Sequence, residues 1–260
     1  MRADQLLVQR GLASSRNQAA RLIDAGARYL HRGEWKPLRK SEDLLEDAQI
    51  ELENVAEVRY VSRGGLKLEG ALATCKLSVR GKVCLDAGQS TGGFTDCLLQ
   101  HQARGVVGID VGQGQLHPTL RADPRVLCIE KINARNINAT EIIAACAYSD
   151  WARGLFNGEN AGFELLVGDV SFISQTLLLG ALTQLLRPAA DVLMLVKPQF
   201  ELQPAQIGKG GIVKDTGHYA EVEARIRDAY AKHGLLVQQY FESPIVGGDG
   251  NREFFVSARS

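Results

Sequence analysis

Several things are scarce or absent in this sequence of 260 residues. No apolar run approaches the roughly 18 residues that a membrane-crossing helix needs. The opening "MRADQLLVQRGL" holds too short an apolar stretch for a secretory signal. A secreted or membrane-spanning protein is therefore not expected. Cysteines number five, at 75, 84, 97, 128 and 146, with no CxxC pair and no paired spacing with histidine. That argues against a disulfide framework and a zinc site, so no metal is expected, and it suits reduced thiols in a cytoplasmic chain. Net charge is missing too: 30 basic residues balance 30 acidic ones, so the chain as a whole advertises neither a nucleic-acid nor a membrane partner. Nothing repeats internally, and no segment is of low complexity. What remains suffices for a sizeable core, at 45% hydrophobic residues, and for one large domain plus a small one.

The charge is balanced overall but not evenly spread. Residues 1–40 hold nine basic residues against three acidic ones, whereas residues 41–58 hold seven acidic residues and no basic one. A basic face of this kind is either a solvated helix surface or a phosphate-binding one. Leu6, Leu7, Gly11 and Leu12 predict a short helix ending at Gly11. In "SSRNQAARLIDAG", Ser15 and Gln18 form a capping box. Ala19, Leu22 and Ile23 make one apolar face, and Gly26 closes the helix. Arg16 and Arg21 point away from that face, towards solvent or a ligand. "ARYLHRGEW" reads as a strand with a turn at Gly33, and Gln49–Leu52 as a second short strand. The strings "GLASSRNQAARLIDAG" and the Gly33 turn resemble the S-four-type (alpha-L) RNA-binding domain. That resemblance implies an α+β module over residues 1–58 that grips structured RNA, with Arg16, Arg21 and Arg28 as contacts.

"EVRYVSRGG" reads as a linker, placed at 59–65, with Arg59 and Arg63 as further RNA-contacting candidates. From 66 to 260 the pattern changes. Apolar runs at Val83–Leu85, Val106–Ile109, Val126–Ile129, Leu165–Val167 and Val192–Val196 alternate with helical stretches such as Phe94–Leu99, Thr176–Leu186 and residues 216–234. Alternating strand and helix predicts an α/β fold with a doubly wound, mostly parallel sheet. Leu236–Phe241 and Glu253–Ser257, joined through "GGDGN", predict an antiparallel final strand.

"VCLDAGQSTGGFTDCLL" is strand, turn and helix. Its glycines, at 88, 92 and 93, give G-x-x-x-G-G, not the G-x-G-x-x-G of dinucleotide sites. Ser90 and Thr91 occupy the space a pyrophosphate would need, so the turn suits the amino-acid part of S-adenosylmethionine better. Asp86 stands at the strand's carboxyl end, where open α/β sheets bind ligands. Asp110 ends the next strand and can accept both hydrogen bonds of a ribose diol. Asn133, in "CIEKINA", is placed near an adenine. Asp86, Gly88, Ser90, Thr91, Gly92, Asp110, Asn133 and Asp169 are the cofactor-binding candidates; the bland alternative is an ordinary βαβ turn that merely needs glycine.

"LMLVKPQFE" raises a separate question, because Lys197 follows a buried apolar run without a polar buffer, and burial strips an ammonium of its hydration. Three more charges occupy comparable places: Lys67 in "VSRGGLKLEGAL", Asp169 in "LLVGDVSF" and Glu253 in "GDGNREFFVS". In a doubly wound sheet, Asp169 and Lys197 would share an edge with the glycine-rich turn. The set Lys67, Asp169, Lys197, Glu253 resembles the catalytic tetrad of FtsJ-related ribose 2'-O-methyltransferases. "VSRGGLKL", "DAGQSTGGFT", "DVGQGQL", "GDVSFIS", "LVKPQFE", "GKGGIV" and "GNREFF", together with the N-terminal module, look like the TlyA (hemolysin A-like) family. The resemblance implies a Rossmann-like methyltransferase domain using S-adenosylmethionine. It further implies methylation of a cytidine 2'-hydroxyl in ribosomal RNA, and the shortness of the chain suggests the large subunit. Lys197 is the candidate base; if it stays charged, it steers the hydroxyl and stabilises developing negative oxygen. Gln89 is bulkier than relatives usually carry in this turn, and is expected to adjust cofactor affinity. Lys209 is the basic side chain nearest the "KPQFE" loop and a further RNA contact candidate.

Three alternatives stand against this reading: a base N-methyltransferase, a membrane-lytic hemolysin-like protein, and an RNA-binding module with a decayed enzyme fold. "DVSF" lacks the two prolines before an aromatic that base methylation usually shows, though Phe172 keeps an aromatic nearby. The missing spans weigh against lysis, and the four charges weigh against decay. Ribosomal RNA or a ribosomal subunit is the expected partner, and nothing calls for an obligate protein partner.

Overall fold

A computed structural model of the protein describes residues 1–13, 15–52, 59–247 and 250–260. The expected module boundary at 58, the end of the acidic stretch and the middle of "GGDGN" lie outside the described residues. The chain divides into two compact units, Met1–Gly65 and Leu66–Ser260.

The first unit opens with α1 (Ala3–Gln9) and α2 (Arg16–Asp24). The Ser15 hydroxyl accepts from the Gln18 N–H at 3.2 Å and so starts α2. Strands β1 (Arg28–His31), β2 (Glu34–Pro37) and β3 (Ile50–Glu51) follow and form an antiparallel sheet in the order β2-β1-β3. The hairpin arm β2 belongs to the sheet although only a turn at Gly33 is expected there. Leu6, Leu7, Leu22, Ile23 and Leu44 fill the small core. Each such burial contributes about 1.5–3 kcal/mol.

α3 (Gly64–Cys75) takes in the last two residues of the expected linker. Then come β4 (Val83–Ala87), α4 (Gly93–Gln100), β5 (Gly105–Asp110), α5 (Pro118–Arg121), β6 (Val126–Glu130), α6 (Ala139–Ala147), β7 (Phe163–Gly168) and α7 (Leu179–Leu182). The chain continues through β8 (Leu186–Val196), α8 (Pro198–Glu201), α9 (His218–Lys232), β9 (Leu236–Glu242) and β10 (Phe254–Arg259). The long helix expected over 176–186 is instead α7 between two single turns of 3-10 helix. Gly180 inside it weakens helix propagation, and β8 claims the residues from Leu186 onward.

The sheet order is β6-β5-β4-β7-β8-β10-β9. β4 to β8 run parallel, while β10 is antiparallel to both β8 and β9. β4 is buried throughout and β7 nearly so, as strands covered on both faces must be. From β4 the chain winds outward to β6, then returns to β7 on the other side of β4. That reversal opens a crevice at the strands' carboxyl ends.

Candidate active site

A cavity of about 480 Å³ lies at this reversal, within the roughly 300–1,000 Å³ usual for small-molecule sites. It is lined by the residues that follow β4, β5, β6 and β7: Gly88 and Ser90, Asp110 and Gln115, Ile132 and Asn133, and Asp169 with the loop after it.

The β4 turn is shaped by local chemistry. Gly88 has φ +80°, and a Cβ there would stand 3.1 Å from the Asp169 carbonyl oxygen. Only glycine meets both demands without strain. Ser90 follows at φ +48°. Its N–H donates to Asp110 Oδ2 at 2.7 Å, and the Gly112 N–H donates to Asp110 Oδ1 at 2.6 Å. Each carboxylate oxygen keeps a free lone pair, so Asp110 can still accept from a diol. Asn133 Oδ1 accepts from the Arg135 N–H, capping the turn after β6.

Five cofactor-binding candidates therefore line the cavity: Gly88, Ser90, Asp110, Asn133 and Asp169. Three do not, and each for a local reason. Asp86 is fully buried below the turn. Burial drives its carboxyl up to about 7; the Thr95 hydroxyl, donating at 2.7 Å, pulls it down, and the Asp169 charge pushes it further up. Thr91 is spent on the fold, its carbonyl accepting from the His117 N–H. Gly92 heads α4 at φ +94° against Leu116 and Leu120. Gln89 does not face the cavity either. Its side chain is buried in the slot left by Gly108 and donates to Thr95 Oγ1 at 2.9 Å.

Gln115 and Ser171 line the cavity but are missing from the expected site. The "DVGQGQL" string holds a signal for Gln115, since it follows Asp110 closely; Ser171 is an ordinary loop serine and offers none.

The four charges come together as two ion pairs. Lys197 Nζ lies 2.6 Å from Asp169 Oδ1 and donates to Ser171 Oγ at 2.6 Å. Lys67 Nζ lies 2.5 Å from Glu253 Oε2, both side chains being almost wholly buried. Register explains the meeting. Val196 pairs with Phe254 across the antiparallel β8–β10 ladder, so Lys197, leaving β8, stands opposite Glu253, leading into β10. Burial raises the Glu253 carboxyl, Lys67 pulls it back, and the Asp169 and Lys197 charges act on it with opposite sign. Phe172, at φ +64° and 91% exposed, stands at the cavity rim with its ring 5.1 Å from that of Phe200.

The expected RNA contacts are placed unevenly. Arg16 is tied to Asp4 at 2.7 Å and Arg28 to its cross-strand neighbour Glu51 at 3.1 Å. Both cations are thus partly neutralised by carboxylates of their own unit. Arg21 and Arg63 are half-buried, and Arg59 is exposed. Lys209 is exposed on a turn whose Gly211 carbonyl accepts from Asn251 Nδ2 at 3.0 Å.

The cavity's donor set fits S-adenosylmethionine: bare backbone at Gly88, a diol-ready carboxylate at Asp110, and apolar walls at Ile109, Ile132 and Leu178. The doubly wound sheet, this cleft and the charged clasp beside it define the class of S-adenosylmethionine-dependent methyltransferases. The chain belongs to the FtsJ-like methyltransferase family, whose pattern matches residues 60–260, and an S4 domain matches residues 1–27. It is 40% identical over 263 residues to the 16S/23S rRNA (cytidine-2'-O)-methyltransferase TlyA of Mycobacterium tuberculosis, covering 100% of this chain and 90% of that one. It is 32% identical over 271 residues to the 23S rRNA (cytidine-2'-O)-methyltransferase TlyA of Campylobacter jejuni, covering 98% of each. A solved structure from Streptococcus thermophilus, described as a hemolysin, aligns with TM-score 0.73 at 36% identity over 100% of this chain and 88% of that one. Among the described residues, no helix is long and apolar enough to cross a membrane.

Proposed function

We propose that this protein methylates the 2'-hydroxyl of a cytidine in ribosomal RNA. Residues 1–58 grip the RNA, 59–65 connect, and 66–260 carry the chemistry. Arg16, Arg21, Arg28, Arg59, Arg63 and Lys209 supply phosphate contacts, Arg16 and Arg28 by exchanging a carboxylate for a phosphate. A ribosomal substrate goes with a cytoplasmic location.

The observation that carries this reading is the Lys197 ammonium, clasped by Asp169 and Ser171 where the loop after β7 meets the cavity. Bound S-adenosylmethionine supplies an electrophilic methyl on a sulfonium that leaves readily. The protein's remaining task is to align the sugar oxygen and manage its proton. Alignment contributes about 7–11 kcal/mol in favourable cases, and a placed acid–base group about 10²–10⁴ in rate. Gly88, Ser90, Asp110, Asn133 and Asp169 hold the cofactor. Lys197 orients the hydroxyl and, having first released its own extra proton to solvent, takes the hydroxyl's proton as the new O–C bond forms. Asp169 fixes Lys197, and the Lys67–Glu253 pair holds the charge pattern behind it. Phe172 offers a face on which a base turned out of its helix can stack.

The test compares ribose methylation across ribosomal RNA of both subunits from cells with and without the protein. Loss of 2'-O-methylation at a cytidine, restored by wild-type protein but not by Lys197→Ala, is expected. An identical ribose pattern in both strains overturns the reading.

A further inference from the structure

We propose that Ser171 is a positioning residue that aims Lys197 at the accepting hydroxyl; the inference rests on the function proposed above. An ammonium has three N–H donors and nothing in its own structure to fix their rotation. Lys197 Nζ donates to Ser171 Oγ at 2.6 Å, and the Asp169 Oδ1 charge holds it as an ion pair, also at 2.6 Å. The Phe200 ring, 6.0 Å from Nζ, covers another side. The Lys197 side chain is 12% exposed, and that opening leaves its remaining position for a substrate hydroxyl. The ion pair fixes where the nitrogen sits, and the hydrogen bond to Ser171 is the directional contact that limits how it turns about that pair. With Ser171 in place, the third position points one way, and that is where the ribose oxygen must lie.

The loop is built to hold this serine still. The Asp169 N–H donates to the Ala87 carbonyl at 3.1 Å, which anchors the loop's start. Its far end is gripped by Glu201, a 3% exposed carboxylate on α8. Glu201 accepts from Ser174 Oγ at 2.5 Å and from the Gln175 N–H at 2.9 Å. Gln175 in turn accepts from the buried Tyr230 hydroxyl at 2.8 Å. Ser171 and the strained Phe172 sit between these anchors. Because α8 starts directly after Lys197, the segment that carries the amine also clamps the loop that aims it. Such pre-set geometry is what stabilises charge at a reacting centre without reorganisation.

The experiment measures kcat and KM for ribosomal RNA, and cofactor affinity by titration with S-adenosylmethionine, in wild type, Ser171→Ala and Ser171→Thr. Ser171→Ala is expected to lower kcat about 10- to 100-fold, the cost of a misaimed group, with KM and cofactor affinity near wild-type values. Ser171→Thr keeps the hydroxyl and is expected to restore most of kcat. Full kcat in Ser171→Ala overturns the proposal. So does equal loss in both variants, or a loss that falls on KM or cofactor affinity, since a merely structural role gives those outcomes. Wild-type protein that methylates no ribosomal RNA overturns both this inference and the function on which it rests, whereas an active wild type with an unimpaired Ser171→Ala overturns this inference alone.

Discussion

Asp86→Asn tests the energetics of the glycine-rich turn. Asp86 is fully buried, its Oδ2 accepts only from Thr95, and its Oδ1 finds no hydrogen-bond partner among the described residues. Its carboxyl is raised from 3.8 to about 7, mainly by burial. A raised carboxyl means that the folded chain binds this proton more tightly than the unfolded one. Between about 7 and 3.8 stability therefore increases as pH falls, and above 7 the full penalty of the buried charge is present. At roughly 1.4 kcal/mol per pH unit the whole effect is about 4 kcal/mol. About 2–3 kcal/mol of it falls between pH ~5 and ~8. Asparagine keeps an acceptor for Thr95 and removes the titration. It also leaves an amide unpaired, at about 1–3 kcal/mol, but that cost does not vary with pH. Urea unfolding of both proteins across this range is the assay. The stability of Asp86→Asn relative to wild type should increase by about 2–3 kcal/mol from pH ~5 to ~8. A difference that stays flat, or that moves the other way, refutes the reasoning.

Three further outcomes are expected. Lys197→Ala abolishes methyl transfer while S-adenosylmethionine titrates as in wild type; measurable turnover means that the proton-handling group is elsewhere. Asp110→Ala removes the diol acceptor together with the anchors of Ser90 and Gly112. It should weaken S-adenosylmethionine binding by about 10-fold or more, the value of one or two charge-assisted hydrogen bonds, as read by calorimetry. Gly88→Ala forces a side chain into left-handed backbone and against the Asp169 carbonyl. It should lower unfolding stability by about 1–2 kcal/mol from the backbone alone, and a variant as stable as wild type contradicts the close approach.

The parts of the site that were legible in the sequence are those with a local cause. Gly88, Ser90 and Asp110 are readable because a strand end followed by glycine dictates a turn, and a carboxylate at the next strand end dictates an acceptor. Lys197 is readable because a charge at the tip of an apolar run conflicts with its surroundings. Thr91 and Gly92 fall outside the cavity lining because adjacent residues in a reversing turn face different ways: Ser90 lines the cavity, and Gly92 abuts Leu120. Asp86 lies below the lining because strand-end position says nothing of depth. Gln89 looks obstructive only until Gly108, on the neighbouring strand, proves to leave it a slot. The pairing of Arg16 with Asp4, the joint hold of Asp169 and Ser171 on Lys197, and the Glu201 clamp all depend on contacts between residues distant in the chain. The broken helix over 175–185 depends likewise on what β8 and Glu201 take from its ends.

The reversed run of β10 has a consequence for when the protein can work. Every other strand of the sheet precedes β10 in the chain, yet the acid that partners Lys67 arrives with it. A polypeptide made only through β9 lacks the Lys67–Glu253 pair, and it lacks the strand that joins β9 to β8. Synthesis order thus acts as a timer, with competence reached only once the chain has been made through β10.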